Sequence, residues 1–596
     1  MWNNLILPKL SEALSYEFQN VYSEISDYVF SKSPSEERDF ADVTIPCSTC
    51  DQNVPPYLLT HHRLKHHALT VLGYEPQENP NIESLIHHRR AAITELLKSQ
   101  TYSEKELQKI DSAYELLRLC GMPESYSRDE HEASFADSFK YAKKIINSFI
   151  KALVIHQDKN VGWKTEMEDA YVVMDPFGLR ENTSFVGLFD GYHGKCAAET
   201  VANELPVLIL QEMSKNDPSY KMTDDERRML AGFEPIFGLW HKDTKDDLSG
   251  LLTNTAASES SLELVHLAHA RAFWKMDRIL KLGRNEVSRI RWSGCTALTC
   301  LIEGNICQTE ENLNINEYER SKVKTENQSA QKETKTSLGT LHIANAGDIH
   351  AVLCKNGKGH RLTKDHSCSN PKERDRVLHT GGTISANEGQ GLLEGLTNAT
   401  RGLGHHGNPK LKKSVISTPY TISLPIDDSC QFLILASRGL WEVLDENEVV
   451  SIAKQALTFY YQYHQEWQEE HSQMSKSPVD THICQSMSST TSGHLESESD
   501  FKEQNSEKSQ HKEQNSLQKN AEMNDNHETY LSDVQEDKTG QRDEQTEDFY
   551  QNVALSISKQ LVHCALLGGS KENVSVLVVL LQGFDKADYG IYRNTA

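Results

Sequence analysis

The sequence is short of positive charge and has no long apolar run. Its 596 residues include 86 acidic and 62 basic side chains, which gives a formal net charge of −24 at pH 7. Polyanions would be repelled by such a chain, so neither a nucleic-acid partner nor a membrane partner is expected. No apolar stretch approaches the roughly 18 residues of a membrane span, and residues 1–10 lack the basic start of a secretory signal. We therefore expect an intracellular protein of the cytoplasm or nucleus.

Cysteine is also sparse, with 12 residues scattered along the chain. This distribution favours reduced thiols over a disulfide framework. One spacing is informative, because Cys47 and Cys50 are followed by His62 and by His66 or His67. Two thiolates and two imidazoles could close a tetrahedral zinc site, although the interval before His62 is one residue shorter than in two-Cys, two-His zinc fingers. The alternative is a chance cysteine pair beside a histidine-rich helix start.

The chain is too long for one core, so several units joined by linkers are expected. Polar composition with few apolar anchors predicts two disordered insertions in the largest unit. The longer insertion could carry phosphorylation or docking sites, or it is a solvated spacer. The predicted units are a polar, partly helical segment (1–40), a zinc-finger-like unit (41–70), a helical region with a linker (71–135), and a large domain (136–585) with insertions at about 310–336 and 466–547.

Strand-like segments dominate the large domain. Alternating or continuous apolar residues predict strands at 184–189, 338–345, 351–353, 432–436 and 574–580. Between two of them, Asn356 and Gly357 favour a type I′ hairpin, since both residues tolerate positive φ. Strand and hairpin signals outnumber any regular strand–helix alternation. We therefore predict an α+β fold with a mostly antiparallel sheet core and helices packed outside it.

Seven short motifs follow one another in this domain. They are GWKTEMED (162–169), FVGLFDGYHG (185–194), SGCTA (293–297), ANAGD (344–348), LTKDH (362–366), LASRGLWE (435–442) and GSKEN (569–573). Each motif alone is weak evidence, but seven in this order closely resemble the metal-dependent protein phosphatase 2C family. The resemblance implies a four-layer α/β/β/α sandwich of two antiparallel sheets flanked by helices. It also implies two magnesium or manganese ions that hydrolyse phosphoserine and phosphothreonine esters.

The resemblance assigns metal-centre roles to one group of residues. Asp169, Asp190 and the Gly191 carbonyl match metal ligands of the family. Glu168 matches a carboxylate that contacts metal-bound water. Asp348 matches a third, weaker metal position, although an aspartate capping a turn after a strand would look the same.

Other positions depart from the family pattern. Arg438 stands where the family has an aspartate ligand, and a guanidinium has no lone pair for a metal. Glu572 keeps a carboxylate at the last ligand position but is one methylene longer. Lys164 replaces the phosphate-binding arginine without its bidentate fork. Tyr192 replaces an imidazole for which the next residue, His193, could substitute. The site is thus a degenerate two-metal centre, with magnesium or manganese weakly bound or absent, and its catalytic groups reduce to Lys164 and His193.

Two of the departures change the local charge in the same way, because Arg438 and His405 each place a basic side chain where the family has an acid. We hypothesise that Arg438 forms a salt bridge with Asp190 or Asp169, the alternative being that it points to solvent. The favoured function is a pseudophosphatase that binds a protein or phosphoprotein partner. Two alternatives remain: a low-activity serine/threonine phosphatase, and a finger-like binding module on a phosphatase-fold scaffold.

Overall fold

A computed structural model of the chain describes residues 43–98, 103–120, 138–143, 145–240, 260–281, 289–304, 339–385, 391–474 and 540–586. The predicted N-terminal segment 1–40 and the predicted insertion 310–336 lie outside these residues. The chain divides into two compact units, residues 1–463 with 544–596, and residues 464–543. Within the second unit, the described residues are the end of one helix and the start of another.

The described residues form both strands and helices, in runs of each kind along the chain. The strands are β1 (Ile45–Pro46), β2 (Asn53–Val54), β3 (Ser138–Lys143), β4 (Ile150–Asp158), β5 (Ala170–Met174), β6 (Thr183–Tyr192), β7 (Gly294–Gly304), β8 (Gly339–Ala346), β9 (His350–Lys355), β10 (Lys358–Arg361), β11 (Leu403–Gly404), β12 (Tyr420–Ile426), β13 (Cys430–Ala436) and β14 (Val574–Leu581). The helices are α1 (Leu59–Val71), α2 (Ile82–Lys98), α3 (Glu104–Cys120), α4 (Cys196–Asn216), α5 (Asp224–Trp240), α6 (Ser261–Lys281), α7 (Arg289–Trp292), α8 (Pro371–His379), α9 (Pro409–Ser414), α10 (Arg438–Trp441), α11 (Glu446–Met474) and α12 (Gly540–Leu567).

Antiparallel pairing joins the strands of the large domain into two sheets. The first sheet has the order β10-β9-β13-β14-β4-β3, and the second has the order β12-β8-β7-β6-β5 with β11 paired to β7. Strands β1 and β2 form a separate two-stranded ribbon. The α+β class and the antiparallel sheets predicted from the sequence are therefore confirmed.

Burial on both faces explains the apolar sequence of the central strands. In β14, Val576 and Val578 belong to a core shared with residues of α11 and α12, whereas Leu577 and Val579 belong to a core shared with strands of the second sheet. The second sheet has its own core with α4 and α6, which includes Phe189. Strands covered on both faces have nearly continuous apolar sequence instead of alternation. Helices thus flank both sheets, and the two sheets share an apolar interface.

The N-terminal region is helical, as predicted. Helices α1, α2 and α3 enclose a small core that contains Leu69, Leu85 and Leu117. At the longer predicted insertion, α11 continues to Met474 and α12 begins at Gly540, so helical backbone enters both ends of the range 466–547. Residues 475–539 lie outside the described part of the chain. Among the described helices, none is long and apolar enough to cross a membrane.

Candidate functional site

The residues assigned to the metal centre lie at strand ends. Asp169 directly precedes β5, and Asp190 lies near the end of β6, which pairs with β5. Arg438 follows the end of β13, and Glu572 lies just before β14, which pairs with β13. Asp348 lies in the turn between β8 and β9. Antiparallel pairing brings the end of one strand beside the start of the next, so residues that are distant in sequence meet here.

Hydrogen bonds between the two sheets hold the aspartates. Ser575 donates its hydroxyl to Asp169 Oδ2 at 2.6 Å, and the backbone N–H of Arg438 donates to Asp190 Oδ2 at 2.9 Å. Burial raises the pKa of Asp169 to about 7. Burial and the neighbouring Asp169 raise the pKa of Asp190 well above its usual range. Two neighbouring carboxyl groups that are both buried resist double ionisation unless a nearby cation compensates their negative charge.

The Arg438 side chain contacts a different acid from the two that we predicted. Its Nε lies 3.7 Å from Asp348 Oδ2, while only its backbone N–H bonds Asp190. The hypothesis of an Arg438 salt bridge with Asp190 or Asp169 is therefore wrong, because the guanidinium turns toward the β8–β9 turn. Burial would lower the pKa of Arg438, but Asp348, Glu442 and other nearby acids raise it. The guanidinium thus lies beside Asp348 and near Glu442, with its side chain 31% exposed.

Asp348 has a second partner on β9. His350 Nε2 lies 2.8 Å from Asp348 Oδ1, and Asn398 donates to the other carboxylate oxygen at 3.3 Å. Burial would raise the pKa of Asp348, but the His350 hydrogen bond and the Arg438 charge lower it. The carboxylate at the predicted third metal position therefore already has a cation and two hydrogen-bond partners.

The lysine at the phosphate-binding position is also engaged. Lys164 Nζ forms an ion pair with the Glu572 carboxylate. Burial would lower the pKa of Lys164, but this ion pair raises it. The two substituted positions of the family pattern, Lys164 and Glu572, thus neutralise each other.

Glu168, Gly191 and Glu442 surround these pairs. Glu168 Oε1 accepts a hydrogen bond from the Gly194 N–H at 2.6 Å. A Cβ on Gly191 would lie 2.2 Å from the Glu168 carbonyl oxygen, so only glycine fits at this close approach. Glu442 accepts hydrogen bonds from the Ser570 hydroxyl and the Lys571 N–H, both at 2.8 Å. Burial raises the pKa of Glu442.

Three rings occupy the place of the expected catalytic imidazole. Tyr192 stacks on His405 with ring centroids 4.5 Å apart, and the exposed His193 meets His405 edge to face at 5.0 Å. Burial lowers the pKa of His405 to about 3. With this lowered pKa the His405 ring is neutral at pH 7, so it does not add the positive charge that the sequence suggested. The Tyr192 hydroxyl is buried and finds no hydrogen-bond partner within the described part of the chain.

Two groups of metal-ligand atoms converge within 4.8 Å among the described residues, and neither contains Asp169, Asp190 or Glu572. One consists of Asp348, His350 and Asp365. The sequence interpretation overlooked His350 and Asp365. The signal for Asp365 was its place in the LTKDH motif, whereas His350 comes near Asp348 only through the tight β8–β9 turn.

The other group contains the predicted zinc ligands Cys47, Cys50, His62 and His66. Cys50 Sγ lies 3.2 Å from His62 Nε2, Cys47 Sγ lies 3.5 Å from His66 Nε2, and the two Nε2 atoms are 3.0 Å apart. His66 is buried, whereas the alternative His67 is exposed. The structure therefore brings His66, and not His67, into the group.

The comparison with known proteins agrees with the motif order. The protein phosphatase 2C family model matches residues 328–473. The human protein phosphatase 2C-like domain-containing protein 1 is 37% identical over 572 residues, which cover 91% of this chain and 89% of the relative. The chain belongs to the protein phosphatase 2C family.

Two further matches accompany this protein phosphatase 2C assignment. The mouse protein of the same description is 35% identical over 566 residues, covering 91% of this chain and 88% of the relative. A crystal structure of serine-threonine phosphatase 2C from Toxoplasma gondii shares 14% sequence identity at a TM-score of 0.39, covering 74% of this chain and 99% of that one.

Proposed function

We propose that this phosphatase 2C family member is a pseudophosphatase, which acts by binding a protein or phosphoprotein partner in place of hydrolysing a phosphoester. The observation that carries the proposal is the position of Arg438. It stands at a ligand position of the family, and its guanidinium lies 3.7 Å from the Asp348 carboxylate inside the acidic group.

The donor set at this site fits two magnesium or manganese ions poorly. Magnesium prefers an octahedron of oxygen ligands with little distortion. Here Arg438 supplies no oxygen from its side chain, and the Glu572 carboxylate is paired with Lys164. Lys164 and Arg438 thus place positive charges of the protein itself beside Glu572 and Asp348. This argument favours weak or absent magnesium and manganese binding.

The exposed side chains beside the site support the binding part of the proposal. Trp163 is 41% exposed, and Lys571 Nζ lies 4.2 Å from the centroid of its ring. Both residues adjoin the degenerate positions, Lys164 and Glu572 respectively. An exposed aromatic surface beside a cation suits a peptide that carries a phosphoryl group, since lysine binds phosphate as a point charge and aromatic side chains are enriched at interfaces.

The test is an assay of the full chain on a phosphothreonine peptide. We expect no hydrolysis with saturating manganese or magnesium, and binding of the phosphorylated peptide that Lys571→Gln weakens. The unphosphorylated peptide is the control. Manganese-dependent turnover that Asp190→Ala abolishes would overturn the proposal and leave the low-activity phosphatase as the function.

We further propose that Cys47, Cys50, His62 and His66 bind zinc. A tetrahedral zinc ion separates two nitrogen ligands by about 3.4 Å and a nitrogen from a sulfur ligand by about 3.6 Å, values close to the spacings in this group. His66 Nδ1 lies 2.8 Å from the Pro76 carbonyl oxygen, so Nδ1 carries the proton and Nε2 keeps its lone pair for the metal. Elemental analysis should find one zinc per chain, and Cys50→Ser should lose it.

The compartment is part of the same proposal. The cysteine side chains that the structure describes are free thiols. Reduced thiols and a thiolate-ligated zinc suit the cytoplasm or the nucleus, where disulfides are rare. Fluorescence microscopy of the tagged chain would test this placement, and a secreted product would contradict it.

A further inference from the structure

We propose that the zinc-finger-like unit is a fixed brace of the degenerate centre and not an independent binding module. The finger unit is defined here as residues 43–71, which contain β1, β2 and α1. The inference rests on the zinc site proposed above, and it goes further by assigning the finger unit a target within the same chain: the two loops that carry Glu442 and Glu572.

Apolar side chains of the finger unit are part of the large domain's core. Val43, Ile45 and Leu59 are 4%, 0% and 0% exposed, and they belong to the core formed by the first sheet with α11 and α12. An independent module would keep its apolar residues within its own core. The finger unit therefore completes the core of the phosphatase-like domain.

An ion pair with a buried carboxylate fixes α1 to the start of α11. Arg63 Nη2 lies 2.5 Å from Glu448 Oε2, and the Glu448 side chain is 1% exposed. The other guanidinium nitrogen, Nη1, donates to the Val443 carbonyl oxygen. A carboxylate this deeply buried requires a partner, because an isolated buried charge is strongly destabilising. Arg63 thus holds the segment immediately after α10.

A second contact reaches the segment before β14. Thr60 donates its hydroxyl to the Gly568 carbonyl oxygen at 2.7 Å. Thr60 lies one turn before Arg63 on α1, so the same helix face touches both segments. Gln455 of α11 adds a third contact, because it donates to the Thr44 carbonyl oxygen at 2.8 Å.

The two segments that α1 touches are the loops of the degenerate centre. Val443 directly follows Glu442, and Gly568 precedes Ser570 by two residues. The loops bond each other through Glu442, which accepts from the Ser570 hydroxyl and from the Lys571 N–H. Because α1 bonds both loops, it fixes the contact between them and therefore the position of Glu572.

The zinc ion would make the brace rigid. The ligands Cys47 and Cys50 lie between β1 and β2, whereas His62 and His66 lie on α1, so the ion joins the ribbon to the helix. In zinc fingers that read DNA, the corresponding helix enters the major groove with its surface free. Here Thr60 and Arg63 of that helix are engaged with the domain, which favours the bracing role over nucleic-acid binding.

Hydrogen exchange of the full chain, measured by mass spectrometry, tests the brace. Arg63→Met removes the contacts to Glu448 and Val443 and keeps all four zinc ligands, and Cys50→Ser removes one ligand. We expect both variants to exchange about threefold faster or more in peptides covering 439–448 and 566–574, with β6 unchanged. Lys65→Met is the matched control, because this lysine lies on the same helix and bonds Asn79 within the N-terminal region.

The outcomes separate the two proposals. Zinc in the purified chain, with faster exchange confined to residues 43–98 in Cys50→Ser and unchanged loops in Arg63→Met, would overturn the brace while the zinc site stands. A chain without zinc would overturn the zinc site. In that case the Arg63→Met variant tests the brace without the zinc site. Hydrogen-exchange rates in the two loops equal to those of Lys65→Met would overturn the brace.

Discussion

Replacing Arg438 with aspartate should strengthen divalent-cation binding at the site of Asp169 and Asp190. The change removes a guanidinium whose Nε lies 3.7 Å from Asp348 Oδ2 and places a carboxylate at the ligand position of the family. The backbone N–H at this position, which bonds Asp190, is retained. We expect Arg438→Asp to bind manganese much more tightly than the native chain, and Arg438→Met, which removes only the charge, to lie between them.

The expected change in manganese affinity follows from the repulsion between the Arg438 charge and the ion. A single positive charge about 4 Å from a divalent ion costs about 8 kcal/mol at an effective dielectric constant near 20. The Arg438 side chain is 31% exposed, so it can swing outward and solvent screens part of this repulsion. If about a third of the penalty remains, the manganese dissociation constant of the native chain is raised on the order of 100-fold by the charge alone.

Isothermal titration calorimetry with manganese measures this difference directly. Arg228→Asp is the matched control, because it makes the same change in net charge on α5, where the side chain is 79% exposed. The reasoning is refuted if Arg438→Met and Arg438→Asp bind manganese no more tightly than Arg228→Asp. Tight manganese binding by the native chain would refute it equally, since the guanidinium would then not keep the cation away.

Three further predictions concern the stability of the fold. Burial lowers the pKa of His405 to about 3, whereas the pKa in the unfolded chain is about 6.5. The contribution of the neutral ring to the free energy of unfolding is therefore complete above pH 6.5. It declines as the pH falls toward 3, because the unfolded chain takes up the proton first. Chemical denaturation should therefore show a loss of about 2 kcal/mol from this group at pH 5, and His405→Phe should remove that share of the pH dependence. Tyr192→Phe should raise the free energy of unfolding by about 1 kcal/mol, because it deletes an unpaired buried hydroxyl, and a loss of stability would mean that the hydroxyl is bonded. Leu577→Ala, at the fully buried interface of the two sheets, should cost about 2–5 kcal/mol by thermal denaturation, whereas Leu396→Ala, at 45% exposure, should change stability by about 0.5 kcal/mol or less.

Short sequence patterns predicted the turns and strands whose conformation is set by the residues within them. The hairpin at Asn356 and Gly357 forms as expected, with φ values of +50° and +72° and with Lys355 paired to Lys358. The strands β13 and β14 were visible because both of their faces are buried and their sequences are almost wholly apolar. The start of α12 at Gly540 falls inside the predicted insertion 466–547, because the residues before 549 are mostly polar and lack the apolar period that indicates a helix.

The proposed zinc ligands show the limit of a prediction from local sequence spacing. The spacing indicated Cys47, Cys50 and His62, but left His66 and His67 open. Adjacent residues of a helix point about 100° apart, so only one of the two imidazoles can face the thiols. The structure selects His66, whose other nitrogen meets the Pro76 carbonyl oxygen. That carbonyl belongs to a segment that folds back after α1, which no spacing rule describes.

The sequence by itself determined the family, the antiparallel α+β fold and the positions at which the chain departs from the family pattern, because residue identities in a fixed order suffice for these conclusions. Tertiary structure alone decided which carboxylate pairs with Arg438. Several carboxylates lie within reach of this long side chain, and only packing selects among them. It also decided that the finger unit docks on the large domain. The partners Arg63 and Glu448 are 385 positions apart, and contacts at such separations leave no periodic trace in the sequence.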